Sequence, residues 1–155
     1  MMSAVETKLK EMGHDLPAAA APAANYVPYV VSGNLIYVSG QLPAINGEFK
    51  YTGKIGADLT AEDGYKAAQI CAINIIAQVK AACGGDLDRV TRIVKLGGFV
   101  ASTPDFTGQP GVINGASDLM AEAFGEKGPH ARSAVATPVL PLDVAVEIDA
   151  IVEFA

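Results

Sequence analysis

Residues 131–154 read ARSAVATPVLPLDVAVEIDAIVEF, and the way this stretch breaks decides the fold class. Ala131–Thr137 reads as one strand and Val144–Phe154 as the next, with Pro138 and Pro141 bounding the loop between them. In the second strand Val144, Val146, Ile148, Ala150, Val152 and Phe154 share one face, and Glu147, Asp149 and Glu153 share the other. Two successive strands with no helix between them break a strict strand–helix alternation. They point to an α+β domain with its helices on one face of a sheet.

Working outward, Pro110 to Phe124 predicts a helix that Gly125 and Gly128 stop. Val90 to Ala101 predicts a long strand, in which Gly97-Gly98 marks a bulge or a close backbone approach. Thr60 to Ala82 is the clearest helix. Thr60 can accept from a first-turn N–H, Glu62 and Asp63 suit the positive end of the dipole, and Gly84-Gly85 ends it. Its stripe of Ala68, Ala72, Ile75, Val79 and Ala82 is small enough to lie close on a sheet, and Asn74 reads as a satisfied buried amide. Tyr26 to Leu42 predicts a hairpin around Ser32-Gly33-Asn34, and Asn46-Gly47 a second tight turn before Phe49 and Tyr51. Val5, Leu9 and Met12 form the apolar stripe of a short helix ended by Gly13, followed by an Ala/Pro-rich connector. Residues 1–24 are thus expected to be an appendage on a core domain of residues 25–155.

The composition narrows the function classes. Of 155 residues, 50% are hydrophobic and 18% charged, the latter below the ~25% of an average soluble domain. A small domain has proportionally more surface and should carry more charge, so part of the surface is expected to be covered by identical neighbours. No run of 18 or more apolar residues exists, which argues against a membrane span. The net charge is −6 and the 11 basic residues are scattered, an unpromising surface for nucleic acid. Cys71 and Cys83 sit in no CxxC pair and have no histidine nearby, so a metal site is not signalled. Twelve residues apart, they lie about 18 Å apart along a straight helix, too far for a disulfide. This usage, and an N-terminus with Glu6, Lys8, Lys10 and Glu11 spread through it, fit a cytoplasmic protein without a secretory signal.

The C-terminal third holds the only dense polar constellation: Gly128-Pro129-His130-Ala131-Arg132-Ser133-Ala134, then Leu140-Pro141, then Glu147. An arginine fork matches a carboxylate bidentately. A carboxylate nearby could steady that fork or act on a water as general base. Antiparallel pairing of the last two strands is the expected way to bring Arg132 and Glu147 together. The plainer reading is an ordinary ion pair at a strand end. His130 is an acid–base candidate or a surface loop residue, and Tyr26 a ligand-stacking candidate or a packing residue. Ser39 lacks the elbow glycines of an activated nucleophile and reads as part of a turn.

Asn34-Leu35-Ile36-Tyr37-Val38-Ser39-Gly40-Gln41-Leu42-Pro43 resembles the GN-x-I-x-x-SGQ-x-P segment of the RidA/YjgF family, and Ala131-Arg132-Ser133 with Leu140-Pro141 and Glu147 resembles its second signature. The spacings of fifteen from Arg132 to Glu147 and thirteen from Tyr26 to Ser39 match as well. The resemblance spans about residues 25–155. It implies a chorismate-mutase-like fold, a mixed sheet backed by two helices, assembled as a homotrimer with clefts between subunits. It implies hydrolysis of reactive 2-imino or enamine acids, such as 2-aminoacrylate, to 2-oxo acids and ammonia without a cofactor. Arg132 would hold the substrate carboxylate and Glu147 the hydrolytic water. Tyr26 would line the cleft from the neighbouring chain, and Ser39 and Gly40 would meet the ligand near its nitrogen. Ala134 stands where archetypal members often carry cysteine, so its backbone is expected to matter more than its side chain. With His130 and the segment 114–119, this marks a divergent branch. A non-catalytic carboxylate binder on the same scaffold is the alternative; RNA cleavage or inhibition of translation, a label the family has carried, fits the acidic balance poorly.

Overall fold

Two of the helices begin in the same way. Ser3 Oγ accepts from the Glu6 N–H while the Glu6 carboxylate accepts from the Ser3 N–H, and Thr60 and Asp63 repeat the exchange. Each capping box satisfies two amide donors that a helix start otherwise leaves open. In the computed structural model, which describes residues 2–22 and 24–155, these boxes open α1 (Ala4–Glu11) and α2 (Ala61–Ala82). A third helix, α3 (Gln109–Phe124), has Pro110 in its first turn and no side-chain cap. The Ser3–Glu6 box was legible in the sequence as Ser-x-x-Glu but is not part of the apolar-stripe reading.

The strands are β1 (Tyr29–Ser32), β2 (Leu35–Gln41), β3 (Ala44–Ile45), β4 (Glu48–Phe49), β5 (Val90–Ala101), β6 (Ala131–Thr137) and β7 (Val146–Phe154). Strands β3 and β4 form a small ribbon around Asn46-Gly47, both at positive φ as a tight hairpin turn requires. The others form one sheet in the order β1-β2-β7-β5-β6. Only β5 and β6 are parallel, joined through α3; the remaining pairs are antiparallel, so the sheet is mixed.

One expectation fails here. β6 and β7 do not pair with each other; both pair with β5, which lies between them. Burial explains the choice. Val146, Ile148, Ala150 and Val152 of β7 are all buried, which suits a central position, whereas β6 has a mostly exposed pattern and takes the edge.

Helices α2 and α3 cover one face of the sheet, over Ile36, Val38, Leu96, Val100, Ile148 and Val152. The two glycines of β5 permit close approach and are not a bulge. A Cβ on Gly98 would lie 2.7 Å from Ile113 of α3, and one on Gly97 would lie 2.5 Å from Asp149 Oδ1 on the other face. The register shifts in β5 fall earlier, between Val90 and Lys95. Asn74 is satisfied as expected, donating to Leu42 O and Ala44 O at 2.9 Å each. Helix α1 buries Val5 and Leu9 and packs against α3 and the turn at Leu87–Arg89, with Glu6 paired to Lys80 of α2. Cys71 and Cys83 are free thiols buried in and at the end of α2. The face of the sheet opposite the helices leaves Val30, Tyr37 and Val135 exposed.

Candidate active site

Arg132 pairs with Leu96 across the β5–β6 ladder and therefore points to the helix-covered face. There it meets the first turns of α3. Its Nη1 donates to Asn114 Oδ1 at 2.8 Å and to Ser117 Oγ at 3.1 Å, and its Nη2 donates to Pro110 O at 3.3 Å. Asn114 and Ser117 are three apart and so lie on one helix face. A guanidinium has five N–H donors. Three are engaged, which leaves Nε–H and one Nη2 hydrogen without a partner among the described residues, the number a bidentate carboxylate takes.

His130 supports the same cluster. Its Nδ1 lies 2.7 Å from Gly128 O and its Nε2 lies 2.8 Å from Ser117 Oγ. A carbonyl only accepts, so Nδ1 carries the proton. Ser117 accepts from Arg132, and in the neutral imidazole protonated at Nδ1 the His130 Nε2 accepts from the Ser117 hydroxyl. The chain Arg132–Ser117–His130–Gly128 holds Ser117 beside the guanidinium and engages both imidazole nitrogens. Ala134, two residues beyond Arg132, faces the same way and packs against the core. Asn114 and Ser117 were not among the site residues expected from sequence; two uncharged polar side chains three apart in α3 were the available signal.

Glu147 lies apart from this group. It pairs with Phe99 of β5 and lies against Gly40, where a Cβ would fall 2.9 Å from Glu147 Oε2. A side chain at Gly40 would displace the Glu147 carboxylate from its present position. Burial, and then the neighbouring charge of Asp149, push the Glu147 carboxyl above the usual carboxylate range. Burial also raises Asp149, an effect that Lys95 partly offsets. Ser39 hydroxyl donates to Val27 O at 2.8 Å and its N–H donates to Pro28 O at 2.9 Å, so both donors tie down the strand leading into β1. Tyr26 is half exposed and lines, with Gly40, a cavity of about 200 Å³.

Arg132 and Glu147 do not meet within one protomer. Leu96, the partner of Arg132, and Phe99, the partner of Glu147, are an odd number of residues apart on β5, so the two side chains project from opposite faces. Two strand spacings and three residues of strand also put their Cα atoms roughly 14 Å apart. One protomer thus carries a guanidinium cluster of Arg132, Asn114, Ser117 and His130, and, separately, the Glu147 carboxylate against Gly40, with Ser39 and Tyr26 nearby in the chain segments that flank Gly40 but not in contact with that carboxylate. A cavity of about 700 Å³ between the turn at Gly13 and the outer side of α2 shares no residue with either. Among the described residues no group of three His, Cys, Asp or Glu side chains could hold a metal ion, and no helix is long and apolar enough to cross a membrane.

Comparison with known proteins agrees with this architecture. The family described as "YjgF/chorismate_mutase-like, putative endoribonuclease" matches residues 6–154. The chain is 53% identical over 150 residues to Protein TCP17 of Trypanosoma cruzi, covering 96% of this chain and 93% of that protein. It is 34% identical over 139 residues to the RutC family protein PM1466 of Pasteurella multocida, covering 87% and 89%. A crystal structure of an Agrobacterium tumefaciens protein of unknown function superposes with a TM-score of 0.93 at 53% identity, covering 98% of this chain and 93% of that one. The mixed sheet, its two covering helices and these matches together establish that the chain belongs to the YjgF (RidA) family.

Proposed function

We propose that this protein hydrolyses reactive 2-imino acids, and the enamine acids that tautomerise to them, to 2-oxo acids and ammonia. The observation that carries the reading is the pair of half-sites: a pre-held guanidinium with two unused donors, and a carboxylate with a raised pKa beside a glycine. In the proposed assembly, a homotrimer, the Arg132 cluster of one subunit faces the Glu147 carboxylate of its neighbour. The exposed apolar face bearing Val30, Tyr37 and Val135 supports an assembly that covers it.

The chemistry asks little of the protein. Arg132 grips the substrate carboxylate and presents C2, which is already electrophilic. Glu147 takes a proton from water as the water oxygen bonds to C2, giving a tetrahedral carbinolamine. Glu147 passes that proton to the nitrogen, then relays the carbinolamine hydroxyl proton to the same nitrogen as the C–N bond breaks, so that ammonia leaves a 2-oxo acid and the carboxylate is restored. Alignment of water and substrate supplies much of the rate, and a carboxyl whose pKa lies above the usual range is a stronger base once ionised. No step uses a cofactor.

The test is to generate 2-aminoacrylate in situ with a serine dehydratase and follow its disappearance. The expected result is acceleration by this protein that Arg132→Ala abolishes. Absence of acceleration, with 2-oxo acids still bound, would replace the enzyme by a carboxylate-binding protein on the same scaffold.

A further inference from the structure

The imidazole of His130 titrates at one nitrogen only. Nδ1 lies 2.7 Å from Gly128 O, a pure acceptor, so it keeps its hydrogen in both charge states. The titrating nitrogen is Nε2, which lies 2.8 Å from Ser117 Oγ. The same oxygen accepts from Arg132 Nη1 at 3.1 Å. A proton gained at Nε2 therefore arrives within about 6 Å of Nη1, a separation at which two like charges act on each other.

Protonation leaves this network connected. A hydroxyl oxygen has two lone pairs, so Ser117 can accept from Nε2–H and Nη1–H together while its own hydrogen turns to a backbone carbonyl one turn back in α3. What changes is the charge, because two cations then share one acceptor. Their repulsion is relieved when Arg132 takes a carboxylate on its unengaged Nε–H and Nη2 hydrogen. Protonation of Nε2 and carboxylate binding thus favour each other, and the coupling is reciprocal. The other charged side chains around the imidazole are Asp118 and Glu122 of α3, Glu126 and Lys127 of the following turn, and Arg92 and Lys95 of β5. Among the described residues, none of them makes a hydrogen bond or ion pair with it. Asp118 is held by Tyr65, and Lys95, paired with Ala131, projects from the other face of the sheet. In the proposed assembly, Glu147 and Asp149 of the neighbouring subunit are the remaining titratable groups on the ligand's side.

We propose that His130 is a proton-linked positioning residue for the carboxylate clamp. Carboxylate binding at Arg132 is coupled, through the Ser117 oxygen that both side chains share, to uptake of a solvent proton at His130 Nε2. Affinity for the anionic ligand then rises as pH falls through the histidine range of about 8 to 5. The inference rests on Arg132 as the clamp of the proposed hydrolysis and adds a regulation of that site. His130 acts through Ser117 and does not touch the ligand.

The chain has two histidines, His14 and His130, so NMR can follow both rings in the wild-type protein, with His14→Gln assigning the signals. His14 lines the separate cavity beside the turn at Gly13 and is the internal control. The probe is pyruvate, whose carboxylate stays ionised throughout. Saturating pyruvate is expected to raise the titration midpoint of His130 and leave that of His14 in place. The Kd for pyruvate is expected to tighten about fivefold between pH 8 and pH 5.5, the low end of coupling between linked sites. His130→Gln, whose amide oxygen can accept from Ser117 but does not titrate, is expected to flatten that dependence, and Glu147→Gln to keep it. An unmoved His130 midpoint, or an affinity that is flat or weakens toward acid pH, overturns the coupling even where imines are hydrolysed. A dependence that His130→Gln keeps in full also overturns it and assigns the proton to another group. A raised midpoint without faster loss of 2-aminoacrylate overturns the hydrolysis and leaves the coupling standing. Pyruvate that binds at no pH removes the clamp and this inference with it.

Discussion

The Arg132 guanidinium and the Glu147 carboxylate of one protomer project from opposite faces of the sheet, with β5 between their strands. If both act on one substrate, they come from different subunits. Arg132→Ala and Glu147→Gln are therefore each expected to be inactive alone and to regain activity when co-expressed. With random assembly, a site that needs one native residue from each of two neighbours is intact about a quarter of the time. Mixed oligomers that form, verified by differential tagging, and remain inactive would count against the shared site.

The acid limb of the pH–rate profile follows from the environment of Glu147. A general base works ionised, and burial together with the Asp149 charge makes ionisation harder. Activity is therefore expected to fall, as pH decreases, through a pKa above the ~4.3 of an unperturbed glutamate. Asp149→Asn removes one of the two causes and is expected to move the limb to lower pH, while Glu147→Gln removes activity at every pH. An acid limb unmoved by Asp149→Asn would assign it to another group.

Much of this architecture was legible in the sequence because local patterns specified it. Thr60 to Ala82 carried a cap, a small-residue stripe and a glycine stop, and the helix occupies that span. Val90–Ala101 and Ala131–Thr137 are strands as bounded by their punctuation. Strand neighbours were not legible. Adjacency in sequence suggested that β6 pairs with β7, but pairing is decided by which strand can bury a whole apolar face at the centre. The spacing of Arg132 and Glu147 likewise says nothing about sheet faces until the common partner strand is known. Asn114 and Ser117 become visible as supports of Arg132 only once α3 is laid over β6.

A missing side chain at Gly115 lets α3 lie close against the backbone of α2. A Cβ on Gly115 would lie 2.1 Å from Tyr65 O, a backbone atom that cannot swing away. Gly115→Ala would gain up to about 1 kcal/mol of helix propensity. Forcing the helices apart costs more, on the order of 1–3 kcal/mol, and separates Tyr65 from the Asp118 carboxylate it donates to at 2.9 Å. A lowered thermal midpoint is expected. Gly111→Ala, in the same helix with open space at its Cβ, is the control and should be neutral or slightly stabilising. Equal effects at the two positions would show that propensity and not packing governs α3.

The docking of α1 carries its own pH dependence. Glu6 is paired with Lys80 and accepts from the Ser3 N–H, and these partners hold its carboxyl down at about 2. A carboxylate whose pKa is depressed by folding contributes stability above its unfolded pKa of ~4.3, and that contribution is lost as pH falls through the folded value. Lys80 is partly exposed, so solvent screening limits the pair to roughly 1 kcal/mol. Glu6→Gln keeps the capping geometry and loses the charge. Its thermal midpoint is expected to lie below wild type at neutral pH, with the gap narrowing between about pH 4.3 and pH 2. A gap that stays constant over that range would mean that Glu6 stabilises α1 through the cap alone, with no contribution from Lys80.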